Sequence, residues 1–335
     1  MKKHLIFILF LLSFFTLKAQ SIARVENAKI DSKTLNQQRE ILIYTPVEYD
    51  IRQHEFFNVI YVFDSQAREM FDYVTSIIPF LTNANHDKSF IVVGITSPYN
   101  LKLDYSRSND FLPVLTTEAS INWYKPRYGN IDNFLNYVSN DVIPYINKNY
   151  RTKGRNIAVG HSLGASFILH SLIETPNLFH NYIAISPNFA YDNHLLAEKL
   201  INFDYSKIEN LNYLYFSNAS EEHYWHEWKP AREKVYNFFN NNSNLKKVVL
   251  KIEQYPNDNH LSLYPDSVKS ALNFYFENVY NDQENILTEQ EYKVTIKVKV
   301  PDKNDEIFIT GNQKNLANWN PKKIKLHKTS DFERE

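Results

Sequence analysis

Short apolar runs recur along the chain, separated by stretches of helical length. The runs are Glu40–Thr45, Asn58–Phe63, Phe90–Ile95, Asn156–Gly160, Tyr182–Ser186, Tyr213–Ser217 and Val248–Gln254. They are rich in β-branched and aromatic side chains and too short for helices, so each predicts a buried strand. Between several of them apolar residues recur at helical spacing. Ala67–Leu81, Ile131–Asn149, Leu163–Glu174, Glu227–Asn240 and Asp266–Val279 are therefore predicted helices. Strands alternating with helices imply βαβ units, and so an α/β fold with a mostly parallel sheet flanked by helices. Such sheets bind ligands beyond the carboxyl ends of their strands. The residues just after each run are where chemistry is expected.

Past residue 280 the texture changes. Asn281–Gln290 is polar and charged and reads as a linker. Glu291–Val300 alternates strictly between apolar and polar positions, which predicts a half-exposed strand. Glu306–Thr310 is a second short strand, Gly311-Asn312 a turn, and Ile324-Lys325-Leu326 a third strand. A few strands in about 45 residues make little core for an independent domain. Asp331–Glu335 offers no closing element, so a truncated all-β module over 291–335 is expected. The α/β domain is assigned to 20–280 and the linker to 281–290.

The N-terminus predicts export. Met1-Lys2-Lys3-His4 is basic, Leu5–Leu17 is apolar except for Ser13 and Thr16, and Ala19 offers a small residue for cleavage. That is a signal peptide over 1–19. Its apolar run is shorter than the ~20 residues a membrane span needs. No other run is long enough, so no span is expected in the mature chain. A secreted or periplasmic protein follows. The chain contains no cysteine, which excludes disulfides and a lipid-modified cysteine after the leader. A net charge of −1 gives no reason to expect nucleic acid or an anionic membrane as partner. The 335 residues, 43% of them hydrophobic, are enough for one large domain and a small module.

Gly160-His161-Ser162-Leu163-Gly164 lies between a predicted strand and a predicted helix. Gly-x-Ser-x-Gly in that setting is a nucleophile elbow, a sharp turn that presents a strained serine above the sheet. The glycines let backbone pass close to backbone. A serine hydroxyl is a poor nucleophile at neutral pH. It needs a histidine to take its proton and a carboxylate to fix that histidine's tautomer. In this fold they follow in the order Ser, Asp or Glu, His. His260 lies in a loop after the last core strand, where the base belongs. His170 sits on the serine's own helix and cannot swing back, and His327 lies in the appended module. The acid belongs after Tyr213–Ser217, where Glu221 and Glu222 both fit. Asp192 follows an earlier strand, and Asp258 is better suited to shaping its turn. One oxyanion donor is the backbone N–H of Leu163, and the other is that of Ser65 or Gln66, after Asn58–Phe63. Arg107 is a candidate substrate contact, although Arg107 and Asp110 equally suit pairing within their loop. Trp225 and Trp228 suit either a substrate wall or a core cover. His223-x-x-His226 reads as a polar cap near the active-site mouth rather than a metal site, and no cofactor is called for.

With these residues in place the chain resembles the putative-esterase family. The likeness rests on the elbow, Ile183-Ala184-Ile185-Ser186-Pro187, Ile143-Pro144-Tyr145-Ile146 with Tyr150-Arg151-Thr152, Arg107–Pro113 as an Arg-x-x-Asp-x-x-Pro loop, and Tyr61–Ser65. It covers residues 22–280. Ser65 replaces a glycine of the family pattern, as does Ala165. The family includes enterochelin-type siderophore esterases, feruloyl and acetyl-xylan esterases, S-formylglutathione hydrolase and mycolyltransferases. The resemblance implies an α/β-hydrolase fold and favours Glu221 as the acid, by analogy with a Gly-x-x-Glu segment whose glycine is absent here. The tail resembles the start of a family 20 starch-binding module in Val294–Val298, Ile307–Asn312 and Leu316–Pro321. Trp319 matches its sugar-stacking aromatic, and Ala317 departs from its glycine. That resemblance implies α-glucan contact. The leading expectation is a secreted serine esterase acting on a small-molecule or glycan ester, a siderophore or acylated glycan among them. Acyl transfer to a sugar hydroxyl uses the same acyl-enzyme. A decayed, non-catalytic glycan-binding protein is the reading from a different class.

Overall fold

The computed structural model describes residues 22–85, 88–242, 245–287, 295–311, 316–317 and 320–335. The predicted leader lies outside them, and so does Trp319. Among the described residues no helix is long and apolar enough to cross a membrane.

Eight strands form one sheet: β1 (Arg24–Ser32), β2 (Gln37–Thr45), β3 (Phe57–Phe63), β4 (Phe90–Ile95), β5 (Thr152–His161), β6 (Asn181–Ile185), β7 (Asn212–Asn218) and β8 (Val248–Gln254). Their order is β1-β2-β4-β3-β5-β6-β7-β8. β2 runs antiparallel to both neighbours, and every pair from β4 through β8 is parallel. All seven predicted strands are present. β1 went unread because it is an edge strand. Arg24, Glu26, Lys29 and Asp31 are exposed, and only Ile30 and Ser32 are buried.

The sheet is covered on both faces, which is why β3 is buried at all seven positions. Phe57, Val59, Tyr61 and Phe63 face one core layer with the helices Leu163–Glu174 and Trp228–Asn241. Ile60 and Val62 face the other, with Arg68–Leu81 and Leu263–Asn278. Much of the aromatic content lies here. Phe134 packs at 4.9 Å from Phe167 and 5.5 Å from Phe111, and Phe63 at 5.0 Å from Phe167. Each such ring contributes about 1.5–3 kcal/mol by leaving water.

The predicted helix Ile131–Asn149 is interrupted. Ile131–Tyr137 and Ile143–Asn149 are α-helical, with a π-turn at Val138–Val142 between them. Pro144 is the cause. It has no N–H to donate, and its ring would strike the carbonyl one turn back, so the preceding turn widens. The helix Tyr191–Ile201 was not predicted, and its opening residues Asp192, Asn193 and His194 all adopt left-handed φ values.

The loop after β4 is held by a buried ion pair. Arg39 Nη2 donates to Asp110 Oδ1 at 2.7 Å, with both side chains at most 2% exposed. The Tyr105 hydroxyl donates to the same oxygen at 2.5 Å, and Asn130 donates to Tyr105 at 2.6 Å. Asp110 therefore pins the loop that carries Arg107 and makes no substrate contact.

The chain divides into two compact units, one ending at Gln283 and the other beginning at Glu284. The predicted linker is helical at its start, over Tyr280–Leu287. Its polar Gln283 is buried in the first unit, where it donates to Asn181 at 2.9 Å and to the Leu211 carbonyl at 2.7 Å. The polarity that read as a linker is there a buried, satisfied amide. Among its described residues the second unit has two small antiparallel sheets. β10 (Phe308–Ile309) pairs with β11 (Ile324–Lys325), and β13 (Glu333–Arg334) lies between β12 (Lys328–Ser330) and β9 (Val298–Lys299). A terminal strand is thus present where none was expected. Buried Arg334 ties this unit by donating to the carbonyls of Lys303, Asp305 and Ser330 at 2.8, 3.0 and 3.1 Å. Ala317, where the starch-binding pattern has glycine, holds a left-handed φ of 65°. Glycine adopts that backbone more readily.

Removing one partner of the Arg39–Asp110 pair leaves a buried charge unpaired. Asp110→Ala is expected to lower unfolding stability by about 3–5 kcal/mol, read from urea denaturation. A loss below about 1 kcal/mol would show that the pair does not hold the loop.

Candidate active site

β5 ends at His161 and a helix begins at Leu163, with Ser162 between them at φ 58°, ψ −122°. Such a backbone costs a non-glycine residue about 1–3 kcal/mol unless its surroundings enforce it. The Ser162 N–H donates to the Ile185 carbonyl of β6 at 3.0 Å, and its carbonyl accepts from the Ser166 N–H at 3.0 Å. A side chain on Gly160 would come within 2.4 Å of the Gly164 carbonyl oxygen, so the strand and the helix start touch backbone to backbone. The Leu163 N–H, first in its helix, has no intrahelical partner.

Ser162 and His260 share a cleft of about 280 Å³ with Arg107, Asp64, Gln66 and Met70. His260, the histidine proposed from the sequence, lies in the loop after β8 and lines the cleft beside Ser162. The loop is shaped as expected by Asp258, which accepts from the Ser262 hydroxyl at 2.6 Å. The ring of His161 anchors it. His161 Nε2 donates to the His260 carbonyl at 2.6 Å, and the rings lie 4.5 Å apart. A carbonyl only accepts, so that nitrogen carries the proton. Burial, and then the neighbouring His260, lower the His161 pKa to about 4, so the tether stays neutral. Trp225 and Trp228 stack on each other at 4.9 Å and each meets the His260 ring edge-on at 5.2 Å. They form a wall beside the histidine.

Of the four candidate acids, only Glu221 faces His260. Its side chain is fully buried, and its Oε1 lies 3.5 Å from His260 Nδ1. The same oxygen accepts from the Ala219 N–H at 2.9 Å and from the Ser186 hydroxyl. Arg232 Nη1 approaches Oε2 at 3.4 Å. Burial pushes the Glu221 pKa up. The nearby His260 ring, the Ser186 hydroxyl and backbone N–H groups outweigh it and hold the pKa at about 2. Glu222 turns to Arg232 instead, at 3.2 Å. Asp192 accepts from the N–H groups of Thr116 and Thr117 at 2.8 and 2.7 Å, clamping a distant loop.

The oxyanion side resolves one alternative. The Ser65 N–H donates to the Ile95 carbonyl at 3.1 Å, so it is already used. Gln66 lines the cleft, fixed by its side chain between Asp64 Oδ1 and the Ser97 N–H, each at 2.8 Å. Arg107 forms a two-point pair with Asp64, at 2.8 and 2.5 Å, and keeps about a third of its side chain exposed. Sequence reasoning missed Asp64, His161, Ser186 and Arg232 as parts of the site. His161 and Ser186 stood inside quoted motifs, but their partners lie about 100 and 35 residues away in the chain.

A strained serine at a strand–helix elbow, a histidine from the loop after β8 and a buried carboxylate after β7 define an α/β-hydrolase of the serine-hydrolase type. The family model described as Putative esterase matches residues 32–323, and the chain belongs to that family of ester hydrolases. It is 27% identical over 155 residues to ferri-bacillibactin esterase BesA of Bacillus subtilis, covering 44% of this chain and 53% of that protein. It is 34% identical over 101 residues to a siderophore triacetylfusarinine C esterase of Aspergillus fumigatus, covering 29% and 33%. The matched stretches thus span about half and a third of those relatives. Among solved structures, an IroE-like serine hydrolase from Shewanella oneidensis superposes with a TM-score of 0.64 at 22% identity, covering 81% of this chain and 90% of that one. The BES protein of Bacillus cereus gives 0.62 at 26% identity, covering 77% and 98%.

The depressed pKa of Glu221 makes a pH prediction. Its folded value of about 2 lies below its ordinary 4.5, so its ionised form stabilises the fold above about pH 4.5. That contribution is lost as pH falls from 4.5 towards 2. Unfolding curves of wild type and Glu221→Gln should therefore differ most near neutrality and converge over this window. A difference independent of pH would show that the carboxylate is not held ionised.

Proposed function

We propose that the protein is a secreted serine esterase that hydrolyses a carboxylic ester through an acyl-enzyme. Ser162 Oγ attacks the ester carbonyl while His260 Nε2 takes its proton, which it later gives to the leaving alcohol. Glu221 faces the other ring nitrogen, 3.5 Å away, and stabilises the imidazolium. The N–H groups of Leu163 and Gln66 receive the negative charge of the tetrahedral intermediate. Water then repeats the sequence to release the acid. The observation that carries this reading is that Ser162 and His260 line one cleft, with the buried Glu221 carboxylate 3.5 Å from His260 Nδ1.

The substrate class we propose is a siderophore ester. Two relatives are named for such substrates, ferri-bacillibactin and triacetylfusarinine C. Arg107 supports it, since its guanidinium lines the cleft beside the nucleophile and suits an anionic or oxygen-rich substrate. Export from the cell, read from the leader, fits an enzyme that meets iron carriers outside the cytoplasm.

Purified protein should hydrolyse p-nitrophenyl acetate and, in a panel of siderophore, feruloyl and acetyl-glycan esters, prefer a siderophore. Ser162→Ala and His260→Ala should each lose roughly four or more orders of magnitude in turnover, and Glu221→Gln less. Fluorophosphonate labelling should vanish with Ser162. Retained turnover in Ser162→Ala would exclude the mechanism. Glu222→Gln or Asp192→Asn proving worse than Glu221→Gln would reassign the acid.

All these residues precede Gln283, so catalysis should not need the second unit. A chain ending at Leu287 should turn over p-nitrophenyl acetate at the wild-type rate. The α-glucan contact proposed for Trp319 offers one stacking aromatic, worth only about 1–3 kcal/mol, too little for tight binding once association entropy is lost. Gel retardation in amylose should therefore be weak or absent. Loss of turnover on truncation, or tight Trp319-dependent retention, would overturn this division of labour.

A further inference from the structure

Ser186 stands at the end of β6, buried to 1% exposure, with a left-handed φ of 46°. Its N–H donates to the Ser217 carbonyl of β7 at 2.9 Å, which fixes the backbone. Its hydroxyl donates to Glu221 Oε1, and its oxygen lies 3.2 Å from His260 Nδ1. The direct separation of His260 Nδ1 and Glu221 Oε1 is 3.5 Å, beyond the usual reach of an N–H···O bond. The serine oxygen is the nearer acceptor for the Nδ1 proton.

We infer that Ser186 is a positioning residue that couples acid to base, its hydroxyl accepting from His260 Nδ1–H and donating to Glu221. The inference rests on the triad proposed above. No bond forms or breaks at Ser186, and the proton stays on Nδ1. One hydroxyl has one hydrogen and two lone pairs, so giving the hydrogen to the carboxylate leaves a lone pair for the imidazole. This fixes the tautomer in which Nε2 is free to take the Ser162 proton. When the imidazolium forms, its charge is met by the serine dipole aligned by Glu221, as well as by Glu221 itself. Aligned hydrogen bonds polarise one another in a site sheltered from water. The left-handed backbone is what turns the hydroxyl towards both partners. A glycine would adopt it more easily, so a serine held there is retained against a local cost.

The test is a set of steady-state measurements on the full chain with p-nitrophenyl acetate. Ser186→Ala should lower kcat about tenfold with KM little changed, because the hydroxyl acts on the base and not on substrate binding. Ser186→Gly also removes the hydroxyl while easing the backbone, and should lose kcat to the same degree without losing stability. In the Glu221→Gln background the further effect of Ser186→Ala should shrink to less than about twofold, because the two residues act through one path. The downfield proton resonance of His260 Nδ1–H, absent in His260→Ala, should shift in both serine variants. Wild-type kcat in Ser186→Ala, or an undiminished loss in the Glu221→Gln background, would overturn the inference. Ser162→Ala run in parallel separates the two failures. If it is active the esterase mechanism falls, and if it is inactive while Ser186→Ala is unimpaired only the coupling role falls.

Discussion

The backbone contact between Gly160 and Gly164 is the constraint on which the site depends. A strand must end, reverse and become a helix within one residue, and that residue is the proposed nucleophile. The turn is possible only where the strand and the helix start can touch without side chains between them. Ser162 absorbs the cost as a backbone conformation that few residues tolerate. The β5–β6 register returns part of it by offering the Ile185 carbonyl to the Ser162 N–H. The same turn starts the helix at Leu163, whose N–H is the proposed oxyanion donor.

The other parts reach this point because parallel strands end together. β5, β6, β7 and β8 deliver Ser162, Ser186, Glu221 and His260 from four successive carboxyl ends, each on a short connection. Their loops are then tied to one another. His161 holds the His260 carbonyl, Ser220 Oγ holds the Pro256 carbonyl at 2.7 Å, and the Asn218 carbonyl accepts from the Tyr255 N–H at 2.8 Å. His260 is thus fixed from three sides, by the elbow, by the loop that carries Glu221 and by the Trp225–Trp228 wall. On the opposite side, Asp64 holds Arg107 and Gln66 together. A site built from strand ends and cross-tied loops needs little rearrangement as charge builds.

The parts of this arrangement that follow local rules were legible in the sequence. Runs such as Asn58–Phe63 and Val248–Gln254 declare strands by their own composition. The elbow declares itself by five residues in a strand–helix setting. His260 and Glu221 could be proposed from the sequence because chain order in this fold points to the loops expected to carry base and acid. What escaped depended on distant partners. β1 is an exposed edge whose pairing with β2 no periodicity announces. Gln283 looked like linker because its buried partners, Asn181 and the Leu211 carbonyl, lie about 70–100 residues earlier in the chain. Ser65 was a reasonable oxyanion donor until the Ile95 carbonyl claimed its N–H. Asp110 looked as available as Arg107 until Arg39, 71 residues away, was found against it.

In the proposed mechanism ester cleavage passes through a covalent acyl group on Ser162. The most direct measurement is rapid-quench mass spectrometry of the enzyme mixed with an activated ester, followed by peptide mapping. The account predicts a transient mass increase equal to the acyl group, confined to the peptide containing Ser162 and absent from Ser162→Ala. It also predicts that Glu221→Gln slows the adduct's formation and decay. Turnover without any adduct, or an adduct on another residue, would contradict the account.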